Sequence, residues 1–149
     1  MEKLFNPESI AILGLSSKSS NIPKLVLENL IRWGYKGRIF GIHPTSEDLQ
    51  VNGIKMFKKI SELPIIPDLV FALIPARFIP QVVEDCGKFG VKTMAIPSGG
   101  FNELGDEGKK IADQLVSTAK KYGIRFVGPN GVTVANDVRE TVSMSGTPT

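Results

Sequence analysis

Only one cysteine, Cys86, and one histidine, His43, occur among the 149 residues. A single cysteine excludes an internal disulfide framework and fits a reducing, cytoplasmic compartment. No His/Cys/Asp/Glu spacing suggests a metal site. No apolar run approaches the length that spans a bilayer, and Met1 to Pro7 lack the pattern of a signal peptide. Concentrated charge is also missing. The net charge is +3, and the lysines gather only as the doublets Lys58-Lys59, Lys109-Lys110 and Lys120-Lys121. Nucleic-acid binders place positive charge on one face with aromatics interleaved, so nucleic acid is not the expected partner. A mild positive excess suits a small ligand carrying several phosphates. There are no internal repeats and no low-complexity tract. A hydrophobic content of 42% and a charged content of 22% are ordinary for a globular chain of one domain.

What the chain does have is five short apolar runs, each ending in Gly, Pro, Ser or Asn. They are Ile10–Leu13, Arg38–Ile42, Leu69–Ile74, Thr93–Ile96 and Ile124–Val127. The endings are Gly14–Asn21, His43–Ser46, Pro75–Arg77, Pro97–Phe101 and Gly128–Gly131. If the runs are parallel strands, all five endings share one sheet edge. Open α/β sheets bind ligands at that edge, where the strand order reverses and a crevice opens. The pattern predicts a binding domain with one extended groove.

Three segments between the runs have helical period: Ile22, Val26, Leu30 and Trp33; Ile79, Val82, Val83 and Cys86; and Ile111, Ala112, Leu115, Val116 and Ala119. Pro23 falls in a favoured first-turn position, and Gly34, Gly37, Gly87 and Gly90 mark helix ends. Asp106-Glu107 before the third stripe and Lys120-Lys121 after it complement a helix dipole. Strand–helix alternation predicts an α/β fold. Its form is a Rossmann-like, doubly wound, mainly parallel five-stranded sheet with helices on both faces. Runs such as Leu69–Ile74, apolar throughout, fit strands covered on both sides. Residues 47–67 read as an irregular crossover, with a short strand at Ile54–Phe57 and a turn of helix near Lys59–Leu63. The expected organisation is one domain over 1–136, with 137–149 a polar tail or linker.

The first loop, Gly14 to Asn21, lies where a dinucleotide fold carries its phosphate-binding turn. Gly14 suits the tight turn, and amides and hydroxyls at a helix N-terminus face an anion. The nicotinamide fingerprint G-x-G-x-x-G is not met, because Ser16 and Ser19 replace two glycines. The acidic residue expected after the second strand is replaced by His43-Pro44. An NAD(H)-binding redox module is therefore disfavoured. The alternative is a plain capping loop whose serines satisfy helix amides.

A family likeness rests on several marks in order: Phe5-Asn6-Pro7-Glu8-Ser9-Ile10, Gly14-Leu15-Ser16, His43-Pro44, and Ile74-Pro75-Ala76-Arg77 with Pro80. Cys86-Gly87, Gly90-Val91-Lys92, Ser98-Gly99-Gly100-Phe101, Tyr122-Gly123-Ile124-Arg125 and Gly128-Pro129-Asn130 follow. Through these the chain resembles the N-terminal CoA-binding domain of NDP-forming acyl-CoA synthetases, the group that includes the succinyl-CoA synthetase α subunit. The likeness runs to about Asn136. It implies CoA or acyl-CoA as ligand, with Gly14, Ser16, Ser17, Lys18 and Asn21 against the phosphates. His43, Pro44 and Thr45 would flank the nucleotide end, and Pro75 and Ala76 would contact the ADP or pantetheine portion. Ser98, Gly99 and Gly100 would line the pantetheine channel, and Asn130 would lie near the thiol. Three departures stand out. Ser19-Ser20-Asn21-Ile22-Pro23 replaces Pro-Gly-Lys-x-Gly, Thr45 replaces a common lysine, and Gly131 replaces a cysteine. Lys18, Lys24 and Arg77 are the candidates for the missing cation.

No catalytic residue is expected within the chain. His43 has no visible acid partner, and Cys86 lies on an apolar stripe where thiols are usually inert. In the resembled synthetases the phosphorylated histidine and the ATP-grasp portion lie in other domains. The resemblance thus implies either the CoA-binding part of a larger ligase, with an ATP-grasp domain or subunit as partner, or a stand-alone CoA-binding or sensing protein.

Overall fold

The computed structural model describes residues 2–101 and 105–129. After a single-turn helix α1 (Glu2–Phe5), the elements are β1 (Ser9–Leu13), α2 (Ile22–Arg32), β2 (Arg38–Ile42), β3 (Gln50–Val51), β4 (Ile54–Phe57) and β5 (Leu69–Ala72). Then come α3 (Ile79–Phe89), β6 (Thr93–Ala95), α4 (Gly105–Tyr122) and β7 (Arg125–Val127). Short 3-10 turns occupy Ile60–Glu62 and Ala76–Phe78.

Among the described residues the sheet has seven strands in the order β3-β4-β2-β1-β5-β6-β7, with β3 and β4 antiparallel. The five expected strands are all present, and the count of five is corrected to seven by the β3–β4 hairpin. Its turn, Asn52-Gly53, has φ of 48° and 80°. Positive φ at both central residues is the condition for the tight hairpin turn that Asn-Gly favours. Segment 47–67 is therefore less irregular than expected, and β4 adds to the sheet beside β2. Counting only the parallel strands, the chain order across the sheet is 3-2-1-4-5-6, which reverses between β1 and β5.

Each central strand feeds both layers of the core. Side chains alternate across a strand. Ala11, Leu13, Val70 and Ala72 pack with Ile79, Val83 and Cys86 of α3 and Leu115 and Ala119 of α4. Their neighbours Ile10, Ile12, Leu69 and Phe71 pack on the opposite face with Leu4 of α1 and Val26, Leu27 and Leu30 of α2. That explains why β1 and β5 are buried at every position and, Ser9 apart, apolar. The buried faces of the helices differ slightly from the expected stripes. Ile22, Trp33 and Val116 are exposed, while Pro23, Leu27 and Gly108 are buried.

α3 and α4 lock together at one point. A Cβ at Gly87 would lie 2.2 Å from the Tyr122 ring, so glycine allows the ring to sit on the helix. The Tyr122 hydroxyl donates to Glu84 at 2.6 Å, and Lys121 and Lys88 reach the same carboxylate at 3.2 and 3.4 Å. α3 stops at Gly90, whose left-handed conformation (φ 103°) lets it donate back to Cys86 and Gly87.

Candidate functional site

The carboxyl ends of β1, β5 and β6 surround a crevice of about 410 Å³ at the point where the strand order reverses. Its walls are Ser20, Asn21, Ile22 and Pro23 from the first loop and α2, Leu73, Ile74 and Pro75 after β5, and Ser98 and Gly99 after β6. Four expected residues, Asn21, Pro75, Ser98 and Gly99, are thus brought to one hollow. Gly100 follows with φ 93°. A second hollow, about 630 Å³, opens beside the ends of β1 and β2, between Pro44, Lys58, Lys59 and Ile60 on one side and Val82, Cys86 and Phe89 of α3 on the other.

The first loop turns at Gly14. Its φ is 81°, and a Cβ there would lie 3.0 Å from the Leu73 carbonyl and 3.1 Å from Ile74 Cγ2. Glycine is thus required both by the turn and by the approach of the β5 loop. Gly14 N–H continues the ladder to Ile42 O at 2.8 Å. The loop is closed by Asn21 rather than by its serines. Asn21 Oδ1 accepts from Ser16 N (3.2 Å) and Lys24 N (2.9 Å), and Nδ2 donates to Gly14 O (2.9 Å). One side chain therefore caps α2 and ties the loop's start to its end. Ser16 is buried, whereas Ser17, Lys18, Ser19 and Ser20 are exposed along the outer side. Lys24 reaches Ser17 O at 3.4 Å and pairs with Glu28 at 3.8 Å.

The loop after β2 folds against the first loop through residues not singled out by sequence. Asp48 Oδ2 accepts from Ser17 N and from Ser46 Oγ, both at 2.8 Å. Lys58 Nζ donates to the Ser46 carbonyl. His43 Nδ1 accepts the backbone N–H groups of Ser46 (3.1 Å) and Thr45 (3.3 Å). Two N–H donors on one ring nitrogen fix Nδ1 as the acceptor, so the neutral ring carries its proton on Nε2. Burial, then the charge of Lys18, hold the His43 pKa below the usual 6.5, with Asp48 opposing and Lys58 adding to the fall. The hydrogen bond from the Ser17 backbone, then those from Ser46 and Ser17 side chains, hold the Asp48 carboxyl below the ordinary carboxylate range. Only the spacing Ser46-x-Asp48, a turn-forming pair just past a strand end, could have pointed to this cluster.

Two of the expected contact residues also take part in the fold. Ala76 is buried in the core layer under α3. Ser98 is buried, and its hydroxyl faces Ile74 O at 2.7 Å and Ala72 O at 3.1 Å while accepting Ile74 N–H at 3.1 Å. It stitches the end of β6 to the end of β5. Arg77 is exposed, with its guanidinium 4.5 Å from the Phe78 ring centre. Asn130, Gly131 and the tail 137–149 lie outside the described residues. Cys86 lines the floor of the second hollow, and burial pushes its thiol up to about 12, which leaves it protonated. Among the described residues, no cluster of His, Cys, Asp and Glu could hold a metal ion, and no helix is long and apolar enough to cross a membrane.

The model of a CoA-binding domain matches residues 8–137. The chain is 46% identical over 132 residues to the α subunit of ADP-forming acetate–CoA ligase I from Pyrococcus furiosus, a match covering 87% of this chain and 29% of that one. It is 33% identical over 133 residues to an ADP-forming 4-hydroxybutyrate–CoA ligase from Nitrosopumilus maritimus, covering 89% of this chain and 19% of the ligase. Among solved structures, an acetyl-coenzyme A synthetase 1 from Ca. Korarchaeum cryptofilum, in complex with phosphate and ADP, superposes with a TM-score of 0.86 at 34% identity. That match covers 96% of this chain and 30% of that chain. The chain therefore spans less than a third of these relatives.

Proposed function

Because the chain belongs to the CoA-binding domain family over residues 8–137, we propose that it holds CoA or an acyl-CoA along the carboxyl edge of its sheet, as the CoA-binding part of an ADP-forming acyl-CoA synthetase. The observation that carries this reading is the crevice between β1, β5 and β6, placed where the strand order reverses. The phosphates lie against the outer side of the first loop, where exposed hydroxyls of Ser17, Ser19 and Ser20 stand beside Lys18 and Lys24. Backbone amides at a turn leading into a helix favour an anion there. The pantetheine arm runs through the crevice past Asn21, Pro75 and Gly99. The nucleotide end turns toward His43, Pro44 and Thr45, where Lys58 and Lys59 border the second hollow.

The described residues bind and orient, and none among them is assigned as a nucleophile. His43 offers its Nε2 proton as a donor, because its other nitrogen is occupied by backbone N–H groups. Acyl and phosphoryl transfer are assigned to an ATP-grasp domain or subunit that works with this one, and the acyl group is set by that larger enzyme.

Calorimetric titration with CoA, dephospho-CoA, acetyl-CoA and NADH tests the reading. Binding of the CoA-type ligands in preference to NADH is the expected result. Preference for NADH would replace the reading with a redox module. No heat with any of the four would remove CoA binding from this chain by itself.

A further inference from the structure

The carboxylate of Asp48 occupies a place in the first loop that an incoming phosphate would compete for. Ser17 N–H is an amide of the segment proposed to cradle the CoA phosphates, and in the free protein it donates to Asp48 Oδ2 at 2.8 Å. The same oxygen accepts from Ser46 Oγ at 2.8 Å, and Ser46 Oγ in turn accepts Asp48 N–H at 3.1 Å. The carboxylate is thus built in by hydrogen bonds, in a loop whose histidine feels nearby lysines. Lys18, Asp48 and Lys58 all act on His43, and Lys24 reaches the carbonyl of Ser17. We propose that Asp48 is an internal stand-in for a ligand phosphate, held on the Ser17 amide until the ligand displaces it, and that it sets the affinity of the site. This rests on the CoA-binding reading above.

The physical basis is competition for one donor. A carboxylate and a phosphate both accept strongly from backbone N–H groups. A phosphate arriving beside an unmoved Asp48 meets a like charge within a few ångströms and is repelled by it. The loop carrying Asp48 is fixed to the sheet at its two ends, where His43 N–H bonds Phe57 O and Leu49 O accepts Met56 N–H, both at 3.0 Å, and between them it is joined by exposed or half-exposed contacts. Residues 46–48 can therefore swing away without disturbing β2. Lys18 and Lys24 of the first loop then face the phosphates with no carboxylate between.

The alternative role is a simple pin, in which Asp48 holds the first loop in its binding shape. Charge and hydrogen bonding separate the two. Asp48→Asn keeps an acceptor for Ser17 N–H and removes the charge; Asp48→Ala removes both. Calorimetry with CoA on the wild type and both variants, at fixed ionic strength, gives the answer. A second readout is the Ser17 amide resonance during titration with CoA and with inorganic pyrophosphate. Displacement predicts that Asp48→Asn and Asp48→Ala both bind CoA more tightly, by about tenfold for loss of a charge-assisted competitor. It also predicts that the wild-type Ser17 amide shifts strongly on binding. A pin predicts weaker binding by Asp48→Ala with Asp48→Asn unchanged, and that result overturns the proposal. Wild-type CoA binding without a shift of the Ser17 amide overturns it as well. If none of the three proteins binds CoA, the CoA reading itself fails and takes this inference with it.

Discussion

Replacing Ser98 by alanine removes an oxygen that holds two strand ends together, and its cost can be worked from the surrounding bonds. Ser98 is 4% exposed, so water has little access to the place its hydroxyl leaves. Its loss strands the Ile74 N–H, now bonded at 3.1 Å, and removes a donor from the Ile74 carbonyl at 2.7 Å. A buried donor left without a partner costs about 1–3 kcal/mol. The gain from burying a methyl in place of a hydroxyl offsets little of this, so about 2 kcal/mol is expected. For a chain of this size that corresponds to a fall in Tm of about 4–8 °C. Urea unfolding should show a lower midpoint with an unchanged slope, since the surface exposed on unfolding stays the same. Ser117→Ala is the control: its hydroxyl bonds a carbonyl of its own helix on the surface, and the change should stay within about 0.5 kcal/mol. Because Ile74 also walls the crevice, CoA affinity should fall together with stability. A Ser98→Ala protein as stable as the wild type would refute the stitching role and show that Ile74 finds another partner.

Gly14→Val should abolish CoA binding, because a β-branched residue at φ 81° is strained and its Cβ meets the Leu73 carbonyl at 3.0 Å. Affinity that survives in a folded Gly14→Val protein would move the phosphates away from the first loop. Asn21→Ala should lower stability by about 1–2 kcal/mol through loss of the α2 cap, read by thermal unfolding; an unchanged Tm would mean the loop closes without it. His43 should titrate below 6.5 in the free protein when followed by NMR. Since folding lowers its pKa, its contribution to stability is complete above 6.5 and is lost as pH falls through the folded value. A bound polyphosphate should raise that pKa, and a free-protein value at or above 6.5 would contradict the burial and lysine effects described.

The strands were readable because a two-sided core imposes unbroken apolar runs, and β2 begins and ends where its run does. Where a run overshoots, a specific bond explains it. Leu69–Ile74 is apolar throughout, yet β5 ends at Ala72, because Ile74 turns its N–H to the hydroxyl of Ser98. Hydropathy carries no trace of that choice. The β3–β4 hairpin did leave a mark in Asn52-Gly53, but its strands are too short for periodicity to register. The edge where the crevice opens was legible from where glycine, proline and serine cluster. The inward turn of Asn21 and the reach of Asp48 to Ser17 were not, because both depend on how two loops meet in space. Resemblance located Ser98 at the edge, while only its bonds show it holding β5.

The hairpin also bears on how the molecule keeps to itself. A parallel sheet that ended at β4 would offer a row of unpaired peptide groups to any passing strand. β3 covers that margin from the opposite direction, and with two residues it leaves almost nothing for another chain to extend. The far margin, β7, is three residues long and begins with an exposed Arg125. Brevity at both borders, with a charge at one, is a defence against edge-to-edge aggregation, so the strongly apolar strands at the centre can be crowded together without making the protein sticky.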